Sequence, residues 1–166
     1  TNWIADRSAD WLAEQAKGDA PFFLQMSFPD PHHPFTPPGR YWDMYDPADF
    51  AVPEAFTRND WTPPPHVQGV IAARESGQAN LRGMAAIGCS PREAQEAQAL
   101  TCGMISMIDA AVGRVQTALE RAGRQSETVK LFTTDHGDHL GDHRLLFKGP
   151  EQYEAITRVP FIWSAP

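Results

Sequence analysis

Two short polar segments hold most of the residues in this sequence that could do chemistry. The first is PDPHHP at residues 29–34, and the second is DHGDHLGDH at residues 135–143. Five of the six histidines lie in these segments, and each segment follows a short apolar stretch that predicts a strand. Ligands of open α/β sheets bind beyond the carboxyl ends of the strands. The distribution therefore indicates one crevice for a metal ion or an anion.

Asp135 and His136 are the candidate metal ligands. They are adjacent at the predicted end of a strand, where a carboxylate and an imidazole can both reach one ion. Carboxylate favours Ca²⁺ or Mg²⁺, and histidine extends the choice to Mn²⁺ or Zn²⁺. Lys148 could pair with an anionic substrate as a point charge, and His32 could donate to the same anion or protonate a leaving oxygen. Taken alone, the Asp135–His136 pair is equally what a hydrogen-bonded turn contains.

His139 and His143 leave further alternatives open. Their spacing would place them on one face of a helix after Gly137, where they could bind Zn²⁺ together with His136. They could equally form a solvated helix face, and this is the expectation for His139. Asp142 and His143 could instead be partners that hold the loop around the metal ligands.

The hydrophobic pattern predicts the elements that must position these segments. Helices are expected over residues 1–17 and from Ser90 to about Ala122, and strands over residues 22–28, 129–134 and 159–163. Ser90, Pro91 and Glu93 are typical of a capped helix start. The nearly continuous apolar run at 22–28 predicts a strand buried on both faces, as in a parallel sheet. The order of elements predicts an α/β fold with about three mainly parallel strands and flanking helices.

The remaining stretches are less regular. Residues 29–65 are rich in proline, which predicts a long irregular loop packed through its aromatic residues. Residues 66–89 are ambiguous, with a broken helix and a flexible stretch around Gly77 as the expectation. The length favours a single domain over residues 1–166 that includes the Pro-rich loop.

Composition excludes several classes of protein. The chain has 166 residues and a formal net charge of −7, which argues against nucleic acid as the main partner. No apolar run approaches the roughly 18 residues of a membrane span. The two cysteines, Cys89 and Cys102, are expected to be free thiols, which slightly favours a reducing, cytoplasmic location.

Three segments resemble the sulfatase family of the alkaline-phosphatase-like superfamily. PFFLQMSFPDPHHPF at residues 21–35 is similar to the segment in which a strand ends in a His-x-Pro loop. TTDHGDHLGDHRLLFK at residues 133–148 is similar to the second metal segment with its following lysine, and MISMIDAAVGRVQTALERAG at residues 104–123 is similar to the long helix between them. The resemblance covers nearly the whole chain, with residues 69–88 matching least.

The resemblance implies a partial alkaline-phosphatase/sulfatase-like sheet and a hydrolase of sulfate, phosphate or phosphonate esters. It implies that Asp135 and His136 bind a divalent metal, with Ca²⁺, Mg²⁺ or Mn²⁺ expected before Zn²⁺. It also implies that His32 and Lys148 bind the anion of a small ester substrate.

The resemblance further implies a nucleophile that these residues do not supply. Sulfatases use a formylglycine made from the Cys or Ser of a C/S-x-P-x-R motif, and this chain is expected to begin after that motif. Cys89 is not a substitute, because Glu93 stands where the motif needs Arg. No catalytic residue is therefore certain, formylglycine is expected only in a full-length protein, and the chain is expected to be an inactive central fragment. The alternative is a non-catalytic module that binds a partner or its own copy through an exposed sheet edge or apolar face.

Overall fold

The described part of the chain forms five α-helices and four short strands. The structure, a computed structural model of the chain, describes residues 1–79 and 85–166. The helices are α1 (Asn2–Gln15), α2 (Glu54–Thr57), α3 (Pro65–Glu75), α4 (Pro91–Arg121) and α5 (Glu154–Thr157). The strands are β1 (Ile87–Gly88), β2 (Lys130–Thr133), β3 (Leu145–Leu146) and β4 (Phe161–Ser164). This arrangement confirms the predicted α/β class.

The long helix α4 is the element on which the rest of the chain packs. Its start is a capping box, in which the Ser90 side chain accepts from the Glu93 amide at 3.3 Å and the Glu93 carboxylate accepts from the Ser90 amide at 2.8 Å. This confirms the prediction of a helix start at residues 89–93. The C-terminal half of α4 packs against α1, and their shared core consists of Ala5, Leu12, Ala111, Val115 and Leu119.

The Pro-rich segment 29–65 is irregular, as predicted, and lies against α4. It contains two short 3₁₀ turns, Gly39–Tyr41 and Pro47–Asp49, and the four-residue helix α2. A Cβ atom at Gly103 would overlap the carbonyl oxygen of Tyr41. The glycine therefore allows the loop backbone to approach the helix more closely than any other residue would.

The four described strands form two antiparallel pairs. β1 pairs with β3, and β2 pairs with β4 in a register that places Leu131 opposite Trp163. The mainly parallel sheet expected from the sequence is not confirmed by these pairs. The chain between β2 and β4 turns back through a loop and the short helix α5, whereas parallel neighbours need a crossover that returns to the same end of the sheet.

Residues 22–28 differ from their prediction as a paired strand buried on both faces. Phe22, Leu24, Met26 and Phe28 are partly buried against the α1–α4 core, and the residues between them are exposed. This alternation is typical of an extended strand with one covered face. The segment has no ladder partner among residues 1–79 and 85–166.

Residues 66–89 form two elements in their described part, the remainder of helix α3 and strand β1. Helix α3 continues to Glu75 and ends in a turn at Gly77, which has a φ of +73°, and residues 87 and 88 form β1. The expectation of a broken helix and a flexible stretch also covered residues 80–84, which lie outside the described residues. Over the described ranges, no helix combines the length and the apolar character needed to cross a bilayer.

Candidate functional site

Asp135 and His136 lie directly beyond the end of β2, where the sequence placed them. Asp135 Oδ1 accepts hydrogen bonds from the His136 amide at 2.9 Å and from the Thr134 hydroxyl at 3.2 Å. Partial burial raises the pKa of Asp135, but the His136 amide and the His136 side chain outweigh it, and the net pKa is lowered. The carboxylate is therefore held in its charged form, as a metal ligand requires.

The ring of His136 is oriented by its own backbone. Its Nδ1 lies 2.8 Å from the Gly137 carbonyl oxygen, which can only accept a hydrogen bond, so Nδ1 is the donor and Nε2 is the nitrogen available to a metal ion. Nε2 lies 3.6 Å from Asp135 Oδ2. A carboxylate oxygen and an imidazole nitrogen thus point toward the same region of space.

Gly137 fixes the turn that follows this pair. Its amide donates to the Ile156 carbonyl at 2.8 Å, and a Cβ atom would overlap the carbonyl oxygen of Ala155. The backbone of α5 therefore lies directly against the turn. Any side chain at residue 137 would push the two candidate ligands away from their present place.

Residues 137–148 form a tight loop that ends at Lys148, near Asp138. The His139 amide donates to the Phe147 carbonyl at 2.9 Å, and the Gly141 amide donates to the Leu145 carbonyl at 2.8 Å. Gln98 of α4 donates to the Leu140 carbonyl at 3.0 Å, which fastens the loop to the long helix. Lys148 is thereby placed close enough to Asp138 for its charge to lower the pKa of that carboxyl, although burial dominates and the net pKa of Asp138 is raised.

The histidine loop at residues 32 and 33 meets the loop that carries Lys148. The rings of His32 and His33 stack with their centroids 4.2 Å apart, and His33 stacks in turn on Phe147 at 4.2 Å. Burial lowers the pKa of His33, and the charge of Lys148 lowers it further. The structure therefore brings His33 of the first polar segment against residues 147 and 148, which follow the second polar segment. That both segments line one crevice stays a prediction.

His139 differs from its expected place on a solvated helix face. The residue is only 2% exposed, and no α-helix follows Gly137, since the segment continues into the short 3₁₀ turn Asp142–Arg144. Burial lowers the pKa of His139, and the nearby Glu151 carboxylate opposes this shift. The expectation failed because the loop folds back on α4 instead of extending as a helix.

His143 is held by aromatic contacts. Its ring lies between Trp61 and Tyr153, with centroid distances of 4.5 and 4.4 Å. Asp142, whose amide donates to the His139 carbonyl at 2.8 Å, starts the 3₁₀ turn beneath it. A role for Asp142 and His143 in holding the loop stays a prediction that agrees with these contacts.

Asp135 and His136 fit a divalent ion as two of its ligands. They offer one charged carboxylate and one neutral imidazole nitrogen, the donor types that Mn²⁺ or Zn²⁺ accepts, and the carboxylate also suits Ca²⁺ or Mg²⁺. Within residues 1–79 and 85–166, no three His, Cys, Asp or Glu side chains are grouped closely enough to hold an ion as they stand. The alternative zinc site of His136, His139 and His143 is accordingly not assembled.

Sequence reasoning missed several residues that shape this region. Asp138 and His33 lie near Lys148, and His33 stacks on Phe147. Glu151 lies beside the buried His139, and Trp61 lies beside His143. The carboxylate in DHGD was a visible signal for Asp138. No local pattern marks Trp61 or Glu151, because their partners are distant in sequence.

A comparison with family models identifies the family of the chain. The model described as Sulfatase matches residues 1–166. The chain belongs to the sulfatase family. This confirms the resemblance seen in the histidine and DHG segments.

Individual sulfatases and related hydrolases are similar over the whole chain. An arylsulfatase of Clostridium perfringens is 37% identical over 171 residues, covering 100% of this chain and 32% of that protein. The multifunctional alkaline phosphatase superfamily protein PehA of Trinickia caryophylli is 30% identical, covering 98% of this chain and 32% of that protein. The crystal structure of the phosphonate monoester hydrolase of Agrobacterium radiobacter superposes with a TM-score of 0.75 at 27% identity, covering 99% of this chain and 32% of that one. The chain thus spans about a third of the length of these relatives.

Proposed function

We propose that this chain carries the metal-binding and anion-binding part of the active site of a metal-dependent ester hydrolase. The substrates would be small sulfuric, phosphoric or phosphonic esters, in keeping with the names of the similar arylsulfatase, alkaline phosphatase superfamily protein and phosphonate monoester hydrolase. The observation that supports this most directly is the His33–Phe147 stack. It supports the proposal because it joins the loop that carries His32 to the loop that ends at Lys148.

Each of four residues has a distinct role in this proposal. Asp135 and His136 hold the divalent ion, which would neutralise charge on the ester oxygens. Lys148 attracts the anionic group as a point charge. His32 is exposed and donates a hydrogen bond to the same anion or a proton to the leaving oxygen.

The chain alone is proposed to be inactive. Its 166 residues contain no complete C/S-x-P-x-R motif, and Cys89 is buried with a pKa raised to about 12, chiefly by that burial. A buried thiol of this kind is a poor nucleophile, because the thiolate is the reactive form. We therefore expect no turnover of nitrophenyl sulfate or nitrophenyl phosphate with Ca²⁺, Mg²⁺ or Mn²⁺. Robust metal-dependent turnover would contradict the inactivity.

Metal binding gives the direct test of the site. We expect Mn²⁺, followed by electron paramagnetic resonance, to bind the chain and Asp135→Ala to weaken binding by about tenfold or more, since even the partners of metal ligands contribute that much. The matched control is Asp109→Ala, which removes an exposed carboxylate from α4. Equal Mn²⁺ affinity in the two variants would overturn the assignment of Asp135.

Anion binding tests the other half of the site. In the presence of Mn²⁺, inorganic sulfate and phosphate should bind less tightly to Lys148→Ala by roughly tenfold, which is the scale of one charge-assisted hydrogen bond. The exposed Lys17→Ala serves as the control for a general loss of positive charge. Unchanged anion affinity in Lys148→Ala, measured by calorimetry, would contradict its role.

Self-association is a second candidate function, and the β2–β4 pair favours it. Leu131, Phe132, Phe161, Ile162 and Trp163 are 41–68% exposed, and they lie on both faces of the pair. Apolar strands exposed in this way are potential sites of pairing with another copy. Light scattering should then show a concentration-dependent dimer or larger species that Trp163→Lys disperses and the control Trp42→Lys, at another exposed tryptophan, does not. A monomer at all concentrations would exclude this function.

A further inference from the structure

His139 is a buried histidine without a hydrogen-bond partner. Its side chain is 0% exposed, and neither Nδ1 nor Nε2 has a partner in the part of the chain that the structure describes. Burying polar atoms without partners costs free energy, and an unpartnered pair of ring nitrogens in a native fold calls for a specific explanation. The nearest charged group is the carboxylate of Glu151, 3.9 Å from His139 Nε2.

Glu151 lies between two imidazole rings. Its side chain is 7% exposed, its Oε2 faces His139, and its Oε1 lies 4.0 Å from Nε2 of His66 on α3. Both gaps exceed the ~3.2 Å limit of a normal hydrogen bond. No Lys or Arg of the described ranges lies within ion-pair distance of this carboxylate. A buried carboxylate therefore lies near two imidazole nitrogens without a hydrogen bond to either.

We propose that His66, His139 and Glu151 bind a divalent transition-metal ion, Zn²⁺ in the first place, at a site separate from Asp135 and His136. Two imidazole nitrogens and one carboxylate are a ligand set that zinc uses in proteins. Ca²⁺ and Mg²⁺ prefer oxygen ligands throughout, so this set disfavours them. A cation there would give the buried carboxylate and the buried imidazole the partner they lack.

The three side chains do not hold an ion as they stand and must move to share one. Zinc–ligand distances of about 2.0–2.2 Å place two ligands of one tetrahedral ion roughly 3.3 Å apart. His139 Nε2 and His66 Nε2 lie 3.9 and 4.0 Å from different oxygens of Glu151, so both imidazole rings must move toward one point beside the carboxylate. His66 can supply its part of the movement, because its side chain is 59% exposed in the first turn of α3. Its open side also leaves room for water as the fourth ligand.

Binding at this site would join three parts of the chain that are distant in sequence. His66 belongs to α3, His139 to the loop after β2, and Glu151 to the segment between Lys148 and α5. The ion would therefore fix the segment that starts three residues after the candidate anion-binding lysine. Its role is structural and does not depend on the proposed hydrolase activity.

The experiment titrates the metal-stripped chain with ZnCl₂ by calorimetry and with Co²⁺ by visible absorption. The Asp135→Ala variant is the background, so that the candidate active-site pair does not contribute. We expect one equivalent of Zn²⁺ to bind in this background, a tetrahedral Co²⁺ spectrum, and a rise in melting temperature on adding Zn²⁺. Absence of a Zn²⁺ equivalent in this background would overturn the proposal.

Variants of the three ligands identify the site. Glu151→Gln, which keeps the shape of the side chain, and His66→Ala, which changes an exposed residue, should each weaken Zn²⁺ binding by about tenfold or more. Glu154→Gln is the matched control, because that carboxylate is 87% exposed in the same segment. Circular dichroism of each variant would verify its fold. Binding that is unchanged in Glu151→Gln and His66→Ala but lost in His143→Ala would overturn the proposal in favour of the His136–His139–His143 alternative.

Discussion

The α1–α4 layer and the β2–β4 pair are both rich in apolar residues, yet only the helical layer is buried. Leu12, Ala111 and Leu119 are at most 5% exposed, whereas Leu131 and Trp163 are 51% and 62% exposed. A helix satisfies its backbone hydrogen bonds locally and needs only one covered face. A strand depends on neighbours at its edges and, in a sheet with two covered faces, on layers above and below. The comparison shows that the core between α1 and α4 is covered within the described chain, whereas the apolar side chains of the strand pair are not.

The candidate site lies between these two regions. Asp135 and His136 extend directly from the exposed strand β2, while the loop that follows them is fastened to α4 by the hydrogen bond from Gln98 to Leu140. The loop after the two candidate ligands is therefore held by the long helix. The ligands themselves extend from a strand whose side chains have few covering contacts.

The largest expected difference comes from truncating one leucine in each region. Leu12→Ala should lower the free energy of unfolding by about 2–5 kcal/mol, because it leaves a cavity between α1 and α4. Leu131→Ala removes a half-exposed side chain and should cost less than about 1 kcal/mol. Urea unfolding at low protein concentration measures both.

Equal losses of unfolding free energy in Leu12→Ala and Leu131→Ala would contradict the difference between the buried helical layer and the exposed strand pair. If the loss of unfolding free energy in Leu131→Ala grows with protein concentration, a second copy covers the strand pair in solution. The strand pair would then be completed by association, unlike the helical layer. Repeating the unfolding over a range of concentrations separates the two outcomes.

The sequence predicted the helical layer better than it predicted the strand pair. The long helix was predictable because its capping box and its apolar repeat are local, and both are observed from Ser90 onward. The pairing of the strands was not, since the apolar pattern of residues 22–28 does not state which neighbour they pair with, and it predicted burial on both faces where only one face is covered. For the site, the adjacency of Asp135 and His136 was visible in the sequence. The burial of His139 was not, because it depends on Glu151 and Tyr153, which approach it only in the folded loop.

A smaller difference is expected from two glycine substitutions, one in each region. Gly137→Ala would drive a methyl group into the Ala155 carbonyl and should cost about 1–3 kcal/mol, as overpacked sites do. Gly113→Ala on α4 meets open space and should stabilise the helix by about 0.5–1 kcal/mol. Gly137→Ala should also weaken Mn²⁺ binding, since the turn holds Asp135 and His136. If Gly137→Ala stabilises the chain as Gly113→Ala is expected to do, the turn after β2 is packed less tightly than its contacts indicate.

The smallest expected effect is a pH dependence of stability that arises from His143. Burial of its ring between Trp61 and Tyr153 lowers its pKa below the usual 6.5, and the charge of Arg58 adds to this against the opposing effect of Asp142. Because the unfolded chain then binds the proton more readily, the free energy of unfolding that His143 contributes is complete above about pH 6.5 and is lost as the pH falls toward the lowered value.

His143→Phe tests this directly, since it keeps an aromatic ring in the stack and removes the titrating group. The variant should lose less stability than the parent chain between pH 7 and pH 5, measured by urea unfolding with chelator present so that no metal competes for the imidazole. If the parent chain and His143→Phe have the same slope over this range, then the Trp61–Tyr153 contact does not exclude the proton in solution. The loop after β2 would then admit water to the His143 ring, and in this respect it would resemble the exposed strand pair.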